Sequence, residues 1–147
     1  MPAATDTVPG AAPLVAGPPR SVLYIEDNPV NVILMEAMLA RLPGVRVLSA
    51  PLPLEGLALA RSERPDLILL DIQLPGIDGF EVLRRLRADE VTRAIPVVAV
   101  SANAMPSDID AGLAAGFAAY LTKPIELERL LASVQRVLHA PAPDAPG

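Results

Sequence analysis

Several polar residues in this chain directly follow short apolar runs, and together they could carry phosphoryl chemistry. Glu26 and Asp27 follow VLYI, Asp71 follows LILL, Ser101 follows VVAV and Lys123 follows YLT. If these runs are neighbouring parallel strands, the residues meet at the sheet edge where α/β proteins bind ligands. Three carboxylates there repel one another unless a cation or raised pKa values compensate, and Mg²⁺ suits such oxygen ligands. A carboxylate nucleophile, a hydroxyl and an ammonium group beside a metal would accept a phosphoryl group.

Each of these residues also has a simpler interpretation when it is taken alone. Acidic residues before a helix complement its dipole, so the Glu26-Asp27 pair needs no chemistry. Ser101 could begin a turn or cap a helix, and Lys123 could be an ordinary surface charge. The Asp78-Gly79 pair is interpreted as a plain turn. A functional site is favoured because Glu26, Asp27, Asp71, Ser101 and Lys123 all occur at the ends of predicted strands.

The elements that must position these residues alternate between strand and helix. Asn28 is a good N-cap and Pro29 suits the first helical position. Five βα repeats with short right-handed crossovers predict a doubly wound α/β sheet with helices on both faces. The predicted strands are 22–26, 45–49, 66–70, 97–100 and 118–121, and the predicted helices are 29–42, 52–62, 80–88, 105–115 and 125–138.

Composition narrows the class of protein further. The chain has 147 residues, of which 52% are hydrophobic, which is enough for one domain. We assign that domain to 21–138, between Pro/Ala-rich flexible tails or linkers at 1–20 and 139–147. The net charge of −5 and the single lysine argue against a nucleic-acid surface. The absence of cysteine excludes thiolate chemistry. No stretch is long and apolar enough to span a membrane, so we expect no membrane contact of its own. A cytoplasmic location is expected.

Four motifs, in order, resemble those of a known family. They are YIEDNPVN, LLDIQLPGIDGFE, VAVSANA and YLTKPIE, and over about residues 20–138 the chain resembles the receiver domain of bacterial two-component response regulators. The resemblance implies a flavodoxin-like, five-stranded parallel sheet of order 2-1-3-4-5 with five flanking helices. The resemblance leaves two settings open, a stand-alone response regulator and a segment of a hybrid histidine kinase, and the YIEDNPVN and VSANAMPSDID stretches slightly favour the hybrid kinase.

The resemblance also implies roles for the acidic residues. Asp71 would be the phosphoacceptor, taking a phosphoryl group from phosphohistidine in a phosphorelay. Asp27 and Asp71 would bind Mg²⁺ directly, with the main-chain carbonyl of Gln73 as a third ligand and Glu26 acting through water. Such a domain phosphorylates and dephosphorylates itself and is not otherwise an enzyme.

Three further residues receive roles in the same way. Ser101 and Lys123 would contact the phosphoryl oxygens, and Tyr120 would be the aromatic residue that switches position after phosphorylation. The family more often has Thr at the position of Ser101. The serine keeps the hydroxyl and lacks only the methyl group. The switch would change the surface formed by the fourth helix, the fifth strand and the fifth helix, and a homodimer formed on phosphorylation is one expected outcome.

The first helix indicates where a partner would bind. Its core-facing stripe is predicted to be Leu34, Met35, Met38, Leu39 and Leu42. Val30, Ile33 and Ala37 fall outside that stripe or at its edge, and a second apolar face on a surface helix favours a docking site. In receivers this helix packs against a histidine kinase or a histidine phosphotransfer domain. Scattered exposed aliphatic residues are the simpler alternative.

Two other functions use similar residues. A phosphatase of the haloacid-dehalogenase type also has a strand-end Asp nucleophile and Mg²⁺, but it needs a second Asp where this chain has Gln73. A docking module that is never phosphorylated would keep the fold without using the site. The complete set of polar residues favours the receiver over both.

Overall fold

The computed structural model describes residues 19–139. The predicted tails lie outside this range except at their inner ends. Arg20, which the sequence assigned to the N-terminal tail, is the first residue of a strand, and His139 caps the last helix. Among the described residues, no helix combines the length and apolar character needed to cross a membrane.

Five strands and five helices alternate through residues 19–139, as the sequence predicts. The strands are β1 (Arg20–Ile25), β2 (Val45–Ala50), β3 (Leu67–Asp71), β4 (Val97–Ser101) and β5 (Ala119–Thr122). The helices are α1 (Pro29–Leu39), α2 (Pro53–Glu63), α3 (Gly79–Ala88), α4 (Pro106–Ala115) and α5 (Leu127–Leu138). All strand pairs are parallel and the sheet order is β2-β1-β3-β4-β5, which confirms the predicted fold class.

The sheet is buried on both faces because its strands alternate between two hydrophobic cores. In β1, Val22 and Tyr24 join the core that contains Met35 of α1 and Leu130 of α5. Leu23 and Ile25 point to the opposite core, which α2 and α3 cover. β3 and β4 are buried at every position. This two-sided burial explains why the central strands are nearly continuous apolar runs.

The register brings the strand ends to one edge of the sheet. Ile25 pairs with Leu70 across β1 and β3, Asp71 pairs with Val100 across β3 and β4, and Ser101 pairs with Thr122. Asp71 and Ser101 are themselves the last residues of β3 and β4, whereas the sequence pattern placed each just after its strand. The ladder continues past them, with hydrogen bonds from the Ile72 amide to the Val100 carbonyl and from the Lys123 amide to the Ser101 carbonyl.

Helix α1 begins where the sequence predicts and ends three residues earlier. The Asn28 side chain accepts a hydrogen bond from the Val30 amide at 2.9 Å, and Pro29 is the first helical residue. The predicted end at residue 42 is wrong, because the chain tightens into a turn in which the Leu42 amide bonds to the Leu39 carbonyl. Pro43 disfavours helical backbone at the residue before it. The other boundaries agree within two residues.

The core-facing stripe of α1 also needs one correction. Met35, Leu39 and Leu42 are buried and Met38 is partly buried, but Leu34 is 54% exposed. The inner face includes Val32, which packs against the core. The prediction wrongly included Leu34, which lies about 100° from Met35 around the helix, and missed Val32. Leu34 therefore belongs to the outer, solvent-facing side of α1.

Candidate functional site

The three acidic residues converge at the carboxyl edge of the sheet. Carboxylate oxygens of Glu26, Asp27 and Asp71 all lie within 4.8 Å of one another. Glu26 and Asp71 are buried, whereas Asp27 is exposed. Two of these groups are therefore removed from solvent that would otherwise screen their repulsion.

Lys123 supplies the positive charge that faces this cluster. Its Nζ donates to Asp71 Oδ2 at 2.8 Å and to Glu26 Oε1 at 3.5 Å. Burial alone would lower the pKa of the Lys123 ammonium, but the hydrogen bond and charge of Asp71, with a smaller effect of Glu26, raise it overall. Lys123 is therefore positively charged at neutral pH, and one ammonium faces three carboxylates. That excess of negative charge, on oxygen ligands alone, fits a divalent hard cation.

Glu26 is held by three separate donors. Its Oε1 accepts from the Tyr24 hydroxyl at 3.0 Å as well as from Lys123, and its Oε2 accepts from the Asn28 amide at 3.0 Å. Sequence reasoning missed both Tyr24 and Asn28 as partners of Glu26. The two-residue spacing of Tyr24 and Glu26 was the available signal, since side chains two apart along an extended chain share a face.

Gln73 links two of the loops at this edge. Its backbone amide donates to Asp71 Oδ1 at 2.9 Å, and its side-chain Oε1 accepts from the Ala102 amide at 3.0 Å. The contact with Ala102 was not predicted, because only the fold brings residues 73 and 102 together. The role implied for the Gln73 main-chain carbonyl concerns a bound metal and stays a prediction.

Ser101 is buried, and a short series of hydrogen bonds leads from it to Tyr120. Ser101 Oγ accepts from the Asn103 amide at 2.9 Å, and the Tyr120 hydroxyl donates to the Asn103 carbonyl at 2.9 Å. The Tyr120 ring is half-buried and lies against Gly112 of α4. It also lines a cleft of about 410 Å³ between α4 and the segment that joins β5 to α5. Ser101, a predicted site residue, and Tyr120, the predicted switch residue, are therefore linked through hydrogen bonds to Asn103.

The Asp78-Gly79 pair has a more specific structural role than the plain turn predicted for it. Asp78 is the N-cap of α3, and its side chain accepts from the Glu81 amide at 2.9 Å. Gly79 begins the helix in close contact with Ile72, and a Cβ at position 79 would overlap the Ile72 side chain and backbone. The pair thus seats α3 directly beside the loop that follows Asp71.

The outer face of α1 is apolar and next to the site. Val30, Ile33 and Ala37, the predicted docking residues, are all exposed, as is Leu34. These four residues follow the i, i+3, i+4, i+7 spacing of one helical face. Beside them lies a cleft of about 480 Å³ between α1 and the start of α5, lined by Leu34, Ala37, Met38, Arg41, Pro124 and Ile125. Lys123 and Tyr24, which both contact Glu26, also line this cleft.

An acidic cluster and a lysine at the carboxyl ends of a 2-1-3-4-5 parallel sheet define a class of signalling domain, and comparison with known proteins gives the family. Residues 22–135 match the response regulator receiver domain. The chain belongs to that family, so it is a receiver domain of two-component signalling. This membership sets aside the phosphatase of the haloacid-dehalogenase type.

Individual relatives agree with this assignment. The chain is 41% identical over 120 residues to the polar-differentiation response regulator DivK of Brucella anthropi, covering 82% of this chain and 97% of that protein. It is 40% identical over 117 residues to the protein PilH of Pseudomonas aeruginosa, covering 80% and 96%.

Solved structures show the same fold. The receiver domain of a sensor histidine kinase from Pseudomonas aeruginosa, with a magnesium ion in its active-site cleft, superimposes with a TM-score of 0.75 at 38% identity, covering 83% of this chain and 99% of that one. The chemotaxis response regulator CheY4 of Vibrio cholerae gives a TM-score of 0.74 at 28% identity, covering 81% and 98%.

Proposed function

We propose that Asp71 is the residue of this receiver that accepts a phosphoryl group. The observation that carries this proposal is the setting of its carboxylate at the end of β3. One oxygen accepts from the Gln73 amide and the other from the Lys123 ammonium, beside Glu26 and Asp27. The donor would be the phosphohistidine of a histidine kinase or of a histidine phosphotransfer domain.

The proposed reaction is an in-line displacement. A carboxylate oxygen of Asp71 forms a bond to phosphorus as the bond from phosphorus to the histidine nitrogen breaks, and the imidazole leaves with the electron pair of that bond. Lys123 stabilises negative charge on the phosphoryl oxygens. Ser101 Oγ accepts from the Asn103 amide, and its hydroxyl hydrogen would be donated to a phosphoryl oxygen. Positioned charges of this kind account for most of the rate in phosphoryl transfer.

Magnesium is the cation that we propose for the acidic cluster. Asp27 and Asp71 would bind it directly with the Gln73 carbonyl, and Glu26 would act through water. When bound, Mg²⁺ would neutralise the carboxylates and reduce their repulsion of the incoming phosphoryl group. Two supports are the excess of carboxylates over ammonium groups and the magnesium ion in the cleft of the sensor-kinase receiver.

The switch proposed for Tyr120 follows from its hydrogen bonds. A phosphoryl group on Asp71 would draw the Ser101 hydroxyl toward it and so disturb the Asn103 loop, to which the Tyr120 hydroxyl is bonded. The ring would then leave Gly112 and turn inward, which would alter the cleft between α4 and α5. A local charge would thereby bias a two-state element.

The partner is proposed to bind the outer face of α1. Val30, Ile33 and Ala37, now joined by Leu34, form an apolar stripe beside the cleft that reaches Lys123. A helix of the phosphohistidine-bearing protein would lie along this stripe and bring its imidazole to Asp71. The cytoplasmic location and a homodimer on phosphorylation stay predictions.

The first experiment is phosphorylation of the full chain with acetyl phosphate and Mg²⁺, followed by intact-mass measurement. We expect one added phosphoryl group, which disappears in the Asp71→Asn variant and after chelation of Mg²⁺. Asp66→Asn is the matched control, and this variant should be phosphorylated normally. Asp66 lies just before β3, at the end of the strand opposite Asp71, and accepts from the Ser21 amide. Absence of the adduct in the wild-type protein, also with a phosphohistidine donor, would favour the docking module without phosphorylation.

A further inference from the structure

The Tyr24 hydroxyl lies inside the site without a role in the reaction described above. Tyr24 is only 1% exposed, and its hydroxyl donates to Glu26 Oε1 at 3.0 Å. Its ring belongs to the core under α1 and α5. An apolar residue would fill that space equally well, so the hydroxyl is the part of Tyr24 that packing does not explain. A buried tyrosine hydroxyl requires a partner, and here the partner is an acidic residue of the proposed metal site.

The geometry around Glu26 shows what this hydroxyl does. Glu26 is 2% exposed, and Oε1 is shared between Tyr24 and Lys123. Lys123 lies nearer to Asp71, at 2.8 Å, than to Glu26, at 3.5 Å. A buried carboxylate that lost the Tyr24 donor would draw the ammonium toward itself, because an unsatisfied buried charge is costly. Tyr24 therefore satisfies Glu26 and keeps its carboxylate from closing onto the Lys123 ammonium.

We propose that Tyr24 is a positioning residue for divalent-cation binding, which it controls by fixing the Glu26 carboxylate and limiting its pairing with Lys123. The inference rests on the proposed magnesium site. Groups that hydrogen-bond to metal-site carboxylates typically change metal affinity by about 10–100-fold when they are removed. Tyr24→Phe removes the hydroxyl and keeps the ring in the core, so it isolates this effect.

The test is the dissociation constant for Mg²⁺ alone, measured by titration calorimetry on the full chain. Tyr24→Phe should weaken Mg²⁺ binding by about tenfold or more. Thr92→Val is the matched control, because it also removes a buried hydroxyl: Thr92 Oγ1 donates to the Leu86 carbonyl at 2.7 Å. The Mg²⁺ affinity of this variant should stay within about twofold of wild type.

A double variant distinguishes positioning from general destabilisation. If Tyr24 acts through Glu26, Tyr24→Phe should weaken Mg²⁺ binding much less in a Glu26→Gln background than in the wild type. Equal effects in both backgrounds would overturn the proposal. So would a Tyr24→Phe protein whose Mg²⁺ affinity equals that of wild type.

A second measurement leaves Tyr24 in place, in case its variant does not fold. The chain has two tyrosines and no tryptophan, so in a Tyr120→Phe variant the ultraviolet absorption of tyrosine reports on Tyr24 alone. Mg²⁺ should change that spectrum with the same midpoint as the calorimetric titration, and an unchanged spectrum under bound Mg²⁺ would refute the inference.

The proposed function can fail separately. A protein that binds Mg²⁺ with the predicted Tyr24 dependence but forms no adduct with acetyl phosphate would overturn the phosphoacceptor role alone. Normal phosphorylation of Tyr24→Phe at every Mg²⁺ concentration would overturn only the role of Tyr24.

Discussion

Lys123 Nζ lies 2.8 Å from Asp71 Oδ2, although Asp71 ends β3, Lys123 follows β5, and β4 lies between these strands. The ammonium therefore pairs directly with two carboxylates of the acidic cluster. This position gives Lys123 two opposite effects. It would stabilise charge on a phosphoryl group at Asp71, and it competes with a metal for the carboxylates.

The first prediction separates these two effects with Lys123→Met. We expect phosphorylation by acetyl phosphate to slow by about 10²–10³-fold, the typical result of removing one stabilising donor. We expect Mg²⁺ to bind more tightly, because a competing positive charge is gone. Rates from mass spectrometry and affinities from calorimetry measure the two quantities. Arg136→Met, at the far end of α5, should change neither, and weaker Mg²⁺ binding in Lys123→Met would contradict the competition.

The sequence predicted the positions of the acidic residues because strand ends are easy to locate. β3 and β4 are apolar runs that end in a polar residue, and Glu26 directly follows the apolar end of β1. Parallel strands place those ends together. Leu34 was misplaced because α1 is apolar on nearly all sides, so its composition does not show which face is buried. The contacts of Gln73 with Ala102, and of Tyr120 with Gly112, depend on loop and helix positions that only the folded chain defines.

The second prediction concerns Gly112. A methyl group at this position would lie 2.7 Å from Tyr120 Cδ2, closer than two carbon atoms can pack. Gly112→Ala should therefore displace the ring and break the bond between its hydroxyl and the Asn103 carbonyl. Overpacking of this kind costs about 1–3 kcal/mol, as measured by urea unfolding.

The control for Gly112 removes the ring. In a Tyr120→Ala background the overlap is absent, and Gly112→Ala should then stabilise the protein by up to about 1 kcal/mol through helix propensity. The same substitution thus changes sign according to residue 120. If Gly112→Ala were equally destabilising in both backgrounds, the Tyr120 ring would not be the cause.

The third prediction concerns the end of α2. Arg64 is the C-cap and has a left-handed backbone with φ of 48°, and its amide bonds to the Ala60 carbonyl. That conformation is unfavourable for a residue with a Cβ but not for glycine. Arg64→Gly should raise the free energy of unfolding by about 0.5–1 kcal/mol, because relief of strain exceeds the added entropy of the unfolded chain.

Arg61→Gly serves as the matched substitution three residues earlier. Arg61 lies inside α2 and pairs with Asp89 at 2.9 Å, so glycine there should lower the free energy of unfolding by about 1 kcal/mol. Urea denaturation measures both variants. Destabilisation by Arg64→Gly would mean that the Arg64 side chain contributes more than its backbone strain costs.

The fourth prediction concerns the pH response of Glu81 in the first turn of α3. Hydrogen bonds from Arg84, at 2.6 Å and 3.0 Å, and then from Arg85, at 2.8 Å, lower the pKa of Glu81 from 4.5 to about 2. Because the folded-state pKa is the lower one, Glu81 favours the folded state fully above pH 4.5, and this contribution is lost as the pH falls toward about 2. The Glu81 side chain is half-buried and still in contact with solvent, so salt should weaken the effect.

Carboxylate ¹³C chemical shifts followed by NMR during acid titration would measure the Glu81 pKa directly. At low ionic strength Glu81 should remain ionised at about pH 3, and in about 1 M salt its midpoint should move up toward its ordinary value. Arg84→Ala should raise the midpoint more than Arg85→Ala, because Arg84 donates two hydrogen bonds and Arg85 one. A low-salt midpoint near 4.5 would mean that these ion pairs do not persist in solution.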